Sequence, residues 1–490
     1  MIRLLQVELK KIFKKKSIYI IWGLMLIFCL LNNILYWTDY DEDGNYKYLE
    51  QENLKEEQTR LETELAKYNK ENSNEVTMYI TIKTKLDILT LKQKFPKDSW
   101  QYRKINTYLY DIVYQINYYK YIEKANKKII QKQEEYQLII NKLNKDDYQY
   151  FLNIDIQKNI DTQKELDKKY NQETDEKVKQ ELEQQLSDNK FNLKILNYRL
   201  NYNIKENNNY LNIALENYQE NYKTVKYYNS QNSIKTYQKK LDYQEALSET
   251  TISKYIIEHQ QNINKQNNLN YQLRTIIDDY EILIIMLILI VCSSLICDEF
   301  KDGTIKLLLI KPYSRGKILL SKYFTAIIIV ITSILMLIAL QLIVGGIIFK
   351  FDSLNIPIII YDFNKSKLVE YSVFQYMIIR IFAKAPFLLM LITISIFLGV
   401  ISNSTIISIT MPLLLYMFNP TFIHLANKYQ LDFMKYLVNI NWNLQDYLFG
   451  KLPELSFINS KFSVIVLIGY FTVLWILTFS IFQKKNIKNI

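Results

Sequence analysis

The sequence predicts an all-α membrane protein: six transmembrane helices with a large helical, coiled-coil-like extracellular insertion. Three observations predict it. Six apolar runs approach the roughly 20 residues needed to cross a hydrocarbon layer about 30 Å thick. Between the first and second run, residues 38–280 hold a single Gly (Gly44) and a single Pro (Pro96), so long helices are favoured over a turn-rich sandwich. The formal net charge of +11 lies in the flanks: residues 41–280 carry 37 basic and 38 acidic side chains, and the surplus sits beside the apolar runs. A nucleic-acid binder would normally carry that surplus on its soluble domain. Beside apolar runs it is membrane-flanking charge.

In chain order, 1–16 reads as an amphipathic helix and 17–37 as the first span. A basic stretch precedes this run, as in a signal peptide, but the run is long and no small-residue cleavage site follows it. Residues 38–280 form the external block. Within it Leu182, Leu186, Asn189, Leu193, Leu196 and Leu200 step by fours and threes, a seam with one polar position. Leu54, Leu61, Leu65 and Tyr68 suggest another, and the stretch from Phe95 through Pro96 to Trp100 reads as a turn. The block holds 28 of the 40 Tyr. An aromatic sugar- or peptide-binding surface is one reading; Tyr filling thin helical seams is the plainer one, and we favour it.

The second span is placed at 281–297, followed by a loop at 298–322 and the third span at 323–349. A loop at 350–380 leads to the fourth span, 381–401, and a turn at 402–405 to the fifth, 406–425. Short helices are expected over 426–461, then a sixth span at 462–482 and a tail at 483–490. Pro386, Pro412 and Pro420 are expected to kink spans four and five. With both termini in the cytoplasm, the inner segments hold 15 basic residues in 54 positions, against eight in 67 for the short outer segments. The positive-inside rule selects this orientation, which makes 38–280 extracellular. Glu281, Arg380 and Lys384 fall at the outer ends of spans two and four. They would contact headgroups or cargo, or simply snorkel to the interface. His424 is expected at the same interface.

Composition restricts the chemistry. Two His and three Cys (Cys29, Cys292, Cys297, all in apolar runs) leave little for a zinc site or a disulfide framework. No phosphate loop of the Walker type is present, and no nucleophile, base or metal cluster stands out.

The largest inner loop orders its residues distinctively: Asp298-Glu299-Phe300-Lys301-Asp302-Gly303-Thr304, then Leu308-Leu309, then Pro312-Tyr313-Ser314-Arg315, then Lys322. Gly303 permits a turn, Thr304 can cap a short helix beginning at Ile305, Pro312 ends it, and Ser314-Arg315 opens the next. This pattern resembles the segment after the second span of ABC-2-type permeases, and residues 4–16 resemble that family's opening helix. The quoted motifs cover about 40 residues, and the match of topology covers the chain outside 38–280. The resemblance implies the permease subunit of an exporter that lacks ATPase activity of its own. ATP and Mg would be bound by separate ATPase subunits, and a second permease copy or sister permease would complete the complex in a bacterial plasma membrane. Glu299, Gly303, Thr304, Ile305, Lys306, Leu308, Leu309, Pro312, Ser314 and Arg315 would form the ATPase-coupling element, with Arg315 and Lys306 pairing with acids on that partner. Cargo would be amphipathic: a peptide, including antimicrobial peptides, a lipid-like molecule or a drug. Membrane lipid is the remaining expected partner; no nucleic acid, metal or cofactor is expected in this chain. The alternative is a non-transport envelope protein, a secretion-system scaffold or surface receptor with a large outer domain. A transmembrane sensor is disfavoured, because the inner segments are too short for an output domain.

Overall fold

Helix boundaries follow local capping chemistry throughout the computed structural model, which describes residues 1–40, 54–207, 209–230, 236–301, 303 and 313–485. The helices are α1 (Ile2–Ile12), α2 (Lys16–Asp39), α3 (Leu54–Leu65), α4 (Val76–Lys92), α5 (Trp100–Tyr118), α6 (Asn126–Asn144), α7 (Tyr148–Gln172), α8 (Glu176–Asn201), α9 (Tyr210–Ser230), α10 (Tyr237–His259) and α11 (Leu269–Asp279). They continue as α12 (Glu281–Lys301), α13 (Arg315–Phe349), a hairpin of β1 (Ile358–Asp362) and β2 (Lys367–Tyr371), then α14 (Val373–Ser402), α15 (Thr405–Met417), α16 (Asn419–Tyr429), α17 (Val438–Asn441) and α18 (Ser460–Lys484). Side chains of Ser99, Asp147, Asp175, Asn268, Ser404 and Asn459 accept from first-turn amides of the helices they precede. Each satisfies a donor that the helix start leaves open.

The protein is nearly all-α. Among the described residues, five helices (α2, α12, α13, α14 and α18) are long and apolar enough to cross a membrane, and the bent pair α15–α16 makes a sixth if counted as one span. The break in that pair, 42°, falls where Pro420 opens α16, so the expected kink in span five sits there. Helix α14 instead runs unbroken through Pro386.

Three boundaries depart from the sequence reading. Residues 350–380 are not simply a loop: Ile358-Ile359-Ile360-Tyr361 pairs antiparallel with 368–371, as β-branched and aromatic residues favour. Helix α14 starts eight residues before the expected span, because Ser372 and Gln375 form a reciprocal capping box. Helix α13 starts at Arg315 rather than 323 and runs 35 residues. Between α14, which ends at Ser402, and α15, which begins at Thr405, Asn403 is left-handed.

The chain divides into two compact units. The first comprises Met1–Tyr46, Asn221–Ile252 and Ile263–Ile490, and the second Lys47–Glu220 and Ser253–Asn262. The cut differs from the expected single block at 38–280, since 221–252 and 263–280 join the unit that carries the apolar helices.

In the second unit, Trp100, Ile105, Leu109, Leu143, Phe151 and Leu152 form a buried core. Trp100 lies at the start of α5 rather than in the turn, and its indole donates to Asp146 (2.7 Å). Leu61 packs with Ile82 and Leu89, flanked by Leu54, Leu65 and Tyr68. On α8, Leu182, Leu186 and Asn189 are buried, and Asn189 donates to Asn159 O (2.9 Å) and Gln163 Oε1 (3.0 Å) on α7. Further along, burial passes to Phe191, Ile195 and Arg199, while Leu193, Leu196 and Leu200 are only half-buried.

Candidate functional site

Helix α12 is bracketed by charge. From Ile282 to Cys297 it carries none, while Glu281 opens it and Asp298-Glu299 lie in its last turn. At 1.5 Å per residue, Glu281 and Glu299 are roughly 27 Å apart along the axis, close to the hydrocarbon thickness. Each end is tied to neighbouring helices by ion pairs.

At the α1 end the tie is a quartet of which Glu8, Glu299 and Lys322 are buried and Lys11 closes the solvent side. Lys322, on α13, is fully buried, and its ammonium donates to Leu295 O (2.7 Å) and pairs with Glu299 (2.6 Å) and Glu8 (3.4 Å). Lys11 bonds the other oxygen of Glu299 (2.7 Å) and approaches Glu8 (3.5 Å). Burial works against the charge of Lys11, but hydrogen bonding to Glu299 and the two nearby carboxylates outweigh it and raise its pKa. Lys15 extends the cluster to Asp298. Helix α1 presents Leu4, Glu8 and Ile12 inward at helical spacing, so one face supplies both apolar packing and a charge. The loop that leaves α12 and returns at α13 is thereby rooted on both sides, with Glu299 before it and Lys322 after it joined to α1.

The loop's other described residues refine the sequence reading. Gly303 has φ of +66° and open space where a Cβ would stand, so the backbone conformation, not crowding, demands glycine there. Ser314 precedes α13 as expected, though its side chain makes no capping bond. One placement is corrected: Glu299 is 7% exposed and faces the quartet rather than a docking surface. Arg315 donates to the carbonyls of Gln483 and Lys485, where a cation complements the C-terminal end of α18. Thr304, Ile305, Lys306, Leu308, Leu309 and Pro312 lie outside the described residues.

At the hairpin end, Lys384 pairs with Glu281 (2.8 Å) and Arg380 with Asp278. Arg380 also donates to the Tyr376 hydroxyl oxygen (3.1 Å). Spacing of four on α14 and three across α11–α12 stacks the pairs as two rungs. The expectation of free outer contacts or of snorkelling is corrected: these cations are consumed by internal ion pairs, and Lys384 is only 6% exposed. His424 is exposed.

Sequence reasoning missed a third tie. Asn33 and Gln341, both buried, exchange amide hydrogen bonds (3.1 and 2.8 Å) between α2 and α13. A Cβ at Gly345 would stand 2.8 Å from Gln341 Nε2 and from a Leu269 methyl, and 3.2 Å from Asn33 Oδ1. The signal was an amide in an apolar run, which the sequence reading treated only as an interruption. Among the described residues, no group of three or more His, Cys, Asp or Glu is placed to hold a metal ion.

Residues 240–488 match the family described as "Protein of unknown function (DUF2705)". The chain belongs to this family. The matched region takes in α11–α18 and therefore Glu281, Glu299, Lys322, Arg380 and Lys384, while α1 with Glu8 and Lys11 lies before it. Over 243 residues the chain is also 26% identical to a Bacillus subtilis (strain 168) protein named "Uncharacterized protein YhcI", covering 49% of this chain and 75% of that protein. No solved structure matches.

Proposed function

We propose that this chain is the membrane-spanning permease subunit of an ABC-2-type, ATP-driven exporter, with six spans and both termini in the cytoplasm. The ATPase is a separate subunit, and a second copy or sister permease completes the complex. The insertion at 38–280 is an extracellular helical domain with coiled-coil-like seams that serves access or recognition of an amphipathic cargo.

The observation that carries this reading is the quartet at the root of the 298–322 loop. A permease without a phosphate loop must receive work through its cytoplasmic surface. An element that transmits it has to be rigid at its attachment and bistable as a whole. Glu299 and Lys322, locked to each other and to α1, give the loop such an attachment, and the left-handed Gly303 begins it. Between them the sequence from Thr304 to Pro312 carries Ile305, Leu308 and Leu309, apolar side chains that would seat on the ATPase.

The test is purification of the full chain from native membranes, with mass spectrometry of what accompanies it and ATP turnover of the complex. An ATPase subunit carrying a Walker motif is expected in stoichiometric amount. Leu308→Glu and Gly303→Val should each weaken that association about tenfold, the loss of one interface anchor of 1–2 kcal/mol, at unchanged membrane level. If wild type purifies without any ATPase, or both variants keep full association and turnover, the reading fails.

A further inference from the structure

Five cations precede the first apolar helix and a sixth, Lys16, opens it, and the fold divides them. Lys11 and Lys15 turn inward to Glu299 and Asp298. Arg3, Lys10, Lys14 and Lys16 are exposed, and no described residue pairs with them. The one acid among the first 17 residues, Glu8, is 1% exposed and faces the quartet. The outward stripe of α1 therefore carries cations without a single carboxylate. Interleaved with them are Ile2 (73% exposed) and Val7 (39% exposed), apolar side chains that gain nothing from water. Three residues after α1 ends, the apolar helix α2 begins.

We propose that the stripe of Arg3, Val7, Lys10 and Lys14, with Lys16 at the start of α2, is a seat for anionic phospholipid, and that leaflet charge thereby holds α1 onto the quartet. Charge complementarity selects the occupant. A zwitterionic surface offers no net attraction to these cations, and an acidic protein partner would leave Ile2 and Val7 without the acyl boundary that continuity with α2 places beside them. A basic amphipathic helix lies in the interface with its apolar residues at the headgroup–acyl boundary. Each cation near an anionic leaflet contributes about fivefold in partitioning. Because the inward and outward faces belong to one rigid helix, lipid charge pulls on the element that anchors the 298–322 loop. The inference rests on the membrane-spanning helices and not on the transporter reading.

Hydrogen exchange of the full-length chain in nanodiscs tests it. Amides of 2–12 should exchange at least tenfold more slowly in discs of phosphatidylcholine with phosphatidylglycerol than in phosphatidylcholine alone, and high salt should erase the difference. The triple variant Lys10→Gln, Lys14→Gln, Lys16→Gln should lose the dependence. A charge-matched variant at other exposed positions (Lys428→Gln, Lys451→Gln, Lys461→Gln) should retain it. Equal exchange in the two lipids, retention of the dependence by the first variant or its loss in the second overturns the proposal. So does protection by inorganic phosphate in zwitterionic discs, which would indicate a free-anion site.

Discussion

The two ends of α12 solve one problem in different ways. Both tie that helix to its neighbours by pairing carboxylates with cations at helical spacing. At the α1 end the four groups share partners: the side chains of Glu8, Glu299 and Lys322 are 1%, 9% and 1% exposed, and Lys11, 42% exposed, caps them from the solvent side. At the hairpin end the pairs are separate rungs, each with one more exposed member: Lys384 and Glu281 are 7% and 18% exposed at their side chains, Arg380 and Asp278 21% and 43%. Burying charge costs several kcal/mol per ion, and mutual attraction recovers it only when every charge is matched. A shared, dry network is thus an all-or-none device, whereas exposed rungs are individually replaceable. Such different constructions assign different jobs: a rigid anchor at the α1 end, and at the hairpin end a clamp that holds α11–α12 beside α14.

The largest effect is expected from Lys322→Met. It leaves Glu8 and Glu299 buried opposite Lys11 alone, and breaking a buried pair from one side typically costs about 3–5 kcal/mol. Melting of the detergent-solubilised chain should fall sharply, and adding Glu8→Gln to the variant should recover part of the loss, because a neutral amide demands no counter-charge. If Lys322→Met melts no lower than Arg380→Met, the contrast between the two ends is wrong.

The reading of the sequence succeeded wherever a one-dimensional signal sufficed. Apolar runs located the long helices, though α13 and α14 each begin eight residues before the expected span, and Ser404 and Asn403 between two such runs marked a tight turn. It failed where the partner lies far along the chain. Glu299 and Arg315 were assigned to a partner surface because the residues near them in sequence are charged and loop-like. Within the chain their partners stand at 11 and 322 for the first and at 483 and 485 for the second, and no periodicity connects such positions. The hairpin ion pairs were missed for the same reason: Arg380 and Lys384 were visible as one face of a helix, and Glu281 was singled out near them, but the packing of α12 against α14 that joins them was not. The β-hairpin escaped because five-residue apolar strands resemble the flank of a membrane helix.

Intermediate effects should follow from the weaker ties. Lys384→Met strands Glu281, which still reaches water, so about 1–3 kcal/mol is expected, between the buried and exposed limits. Asn33→Leu removes the amide exchange with Gln341 and should cost about 0.6–2 kcal/mol, the range for hydrogen bonds between apolar helices. Arg380→Met, facing the more exposed Asp278, should cost under about 1 kcal/mol. Thermal melts of the three variants in one detergent check the order. An Arg380→Met loss larger than that of Lys384→Met would show that solvent exposure does not grade the clamp.

The smallest effect sharpens the comparison by pH. Asp446, in the short-helix segment at the hairpin end, keeps solvent contact yet is crowded by protein on most sides. That crowding comes first, with Glu454 beside it, and together they push its carboxyl up to about 6 against the pull of Lys384 and Arg380. A carboxyl whose folded pKa lies above its unfolded value binds its proton more tightly in the native state. Its charge therefore opposes folding, and stability is lost as pH rises from about 4 to about 6. Asp446→Asn removes that penalty, so the variant should melt higher than wild type at pH 7.5 and at the same temperature near pH 4. Solvent screening at this exposed group keeps the gain below about 1 kcal/mol. Among the described residues, the carboxylates at the α1 end are matched by ammonium groups, and Lys322→Met should destabilise at both pH values. A stabilisation by Asp446→Asn that persists unchanged at pH 4 would mean that packing, and not charge, sets the strain at this end.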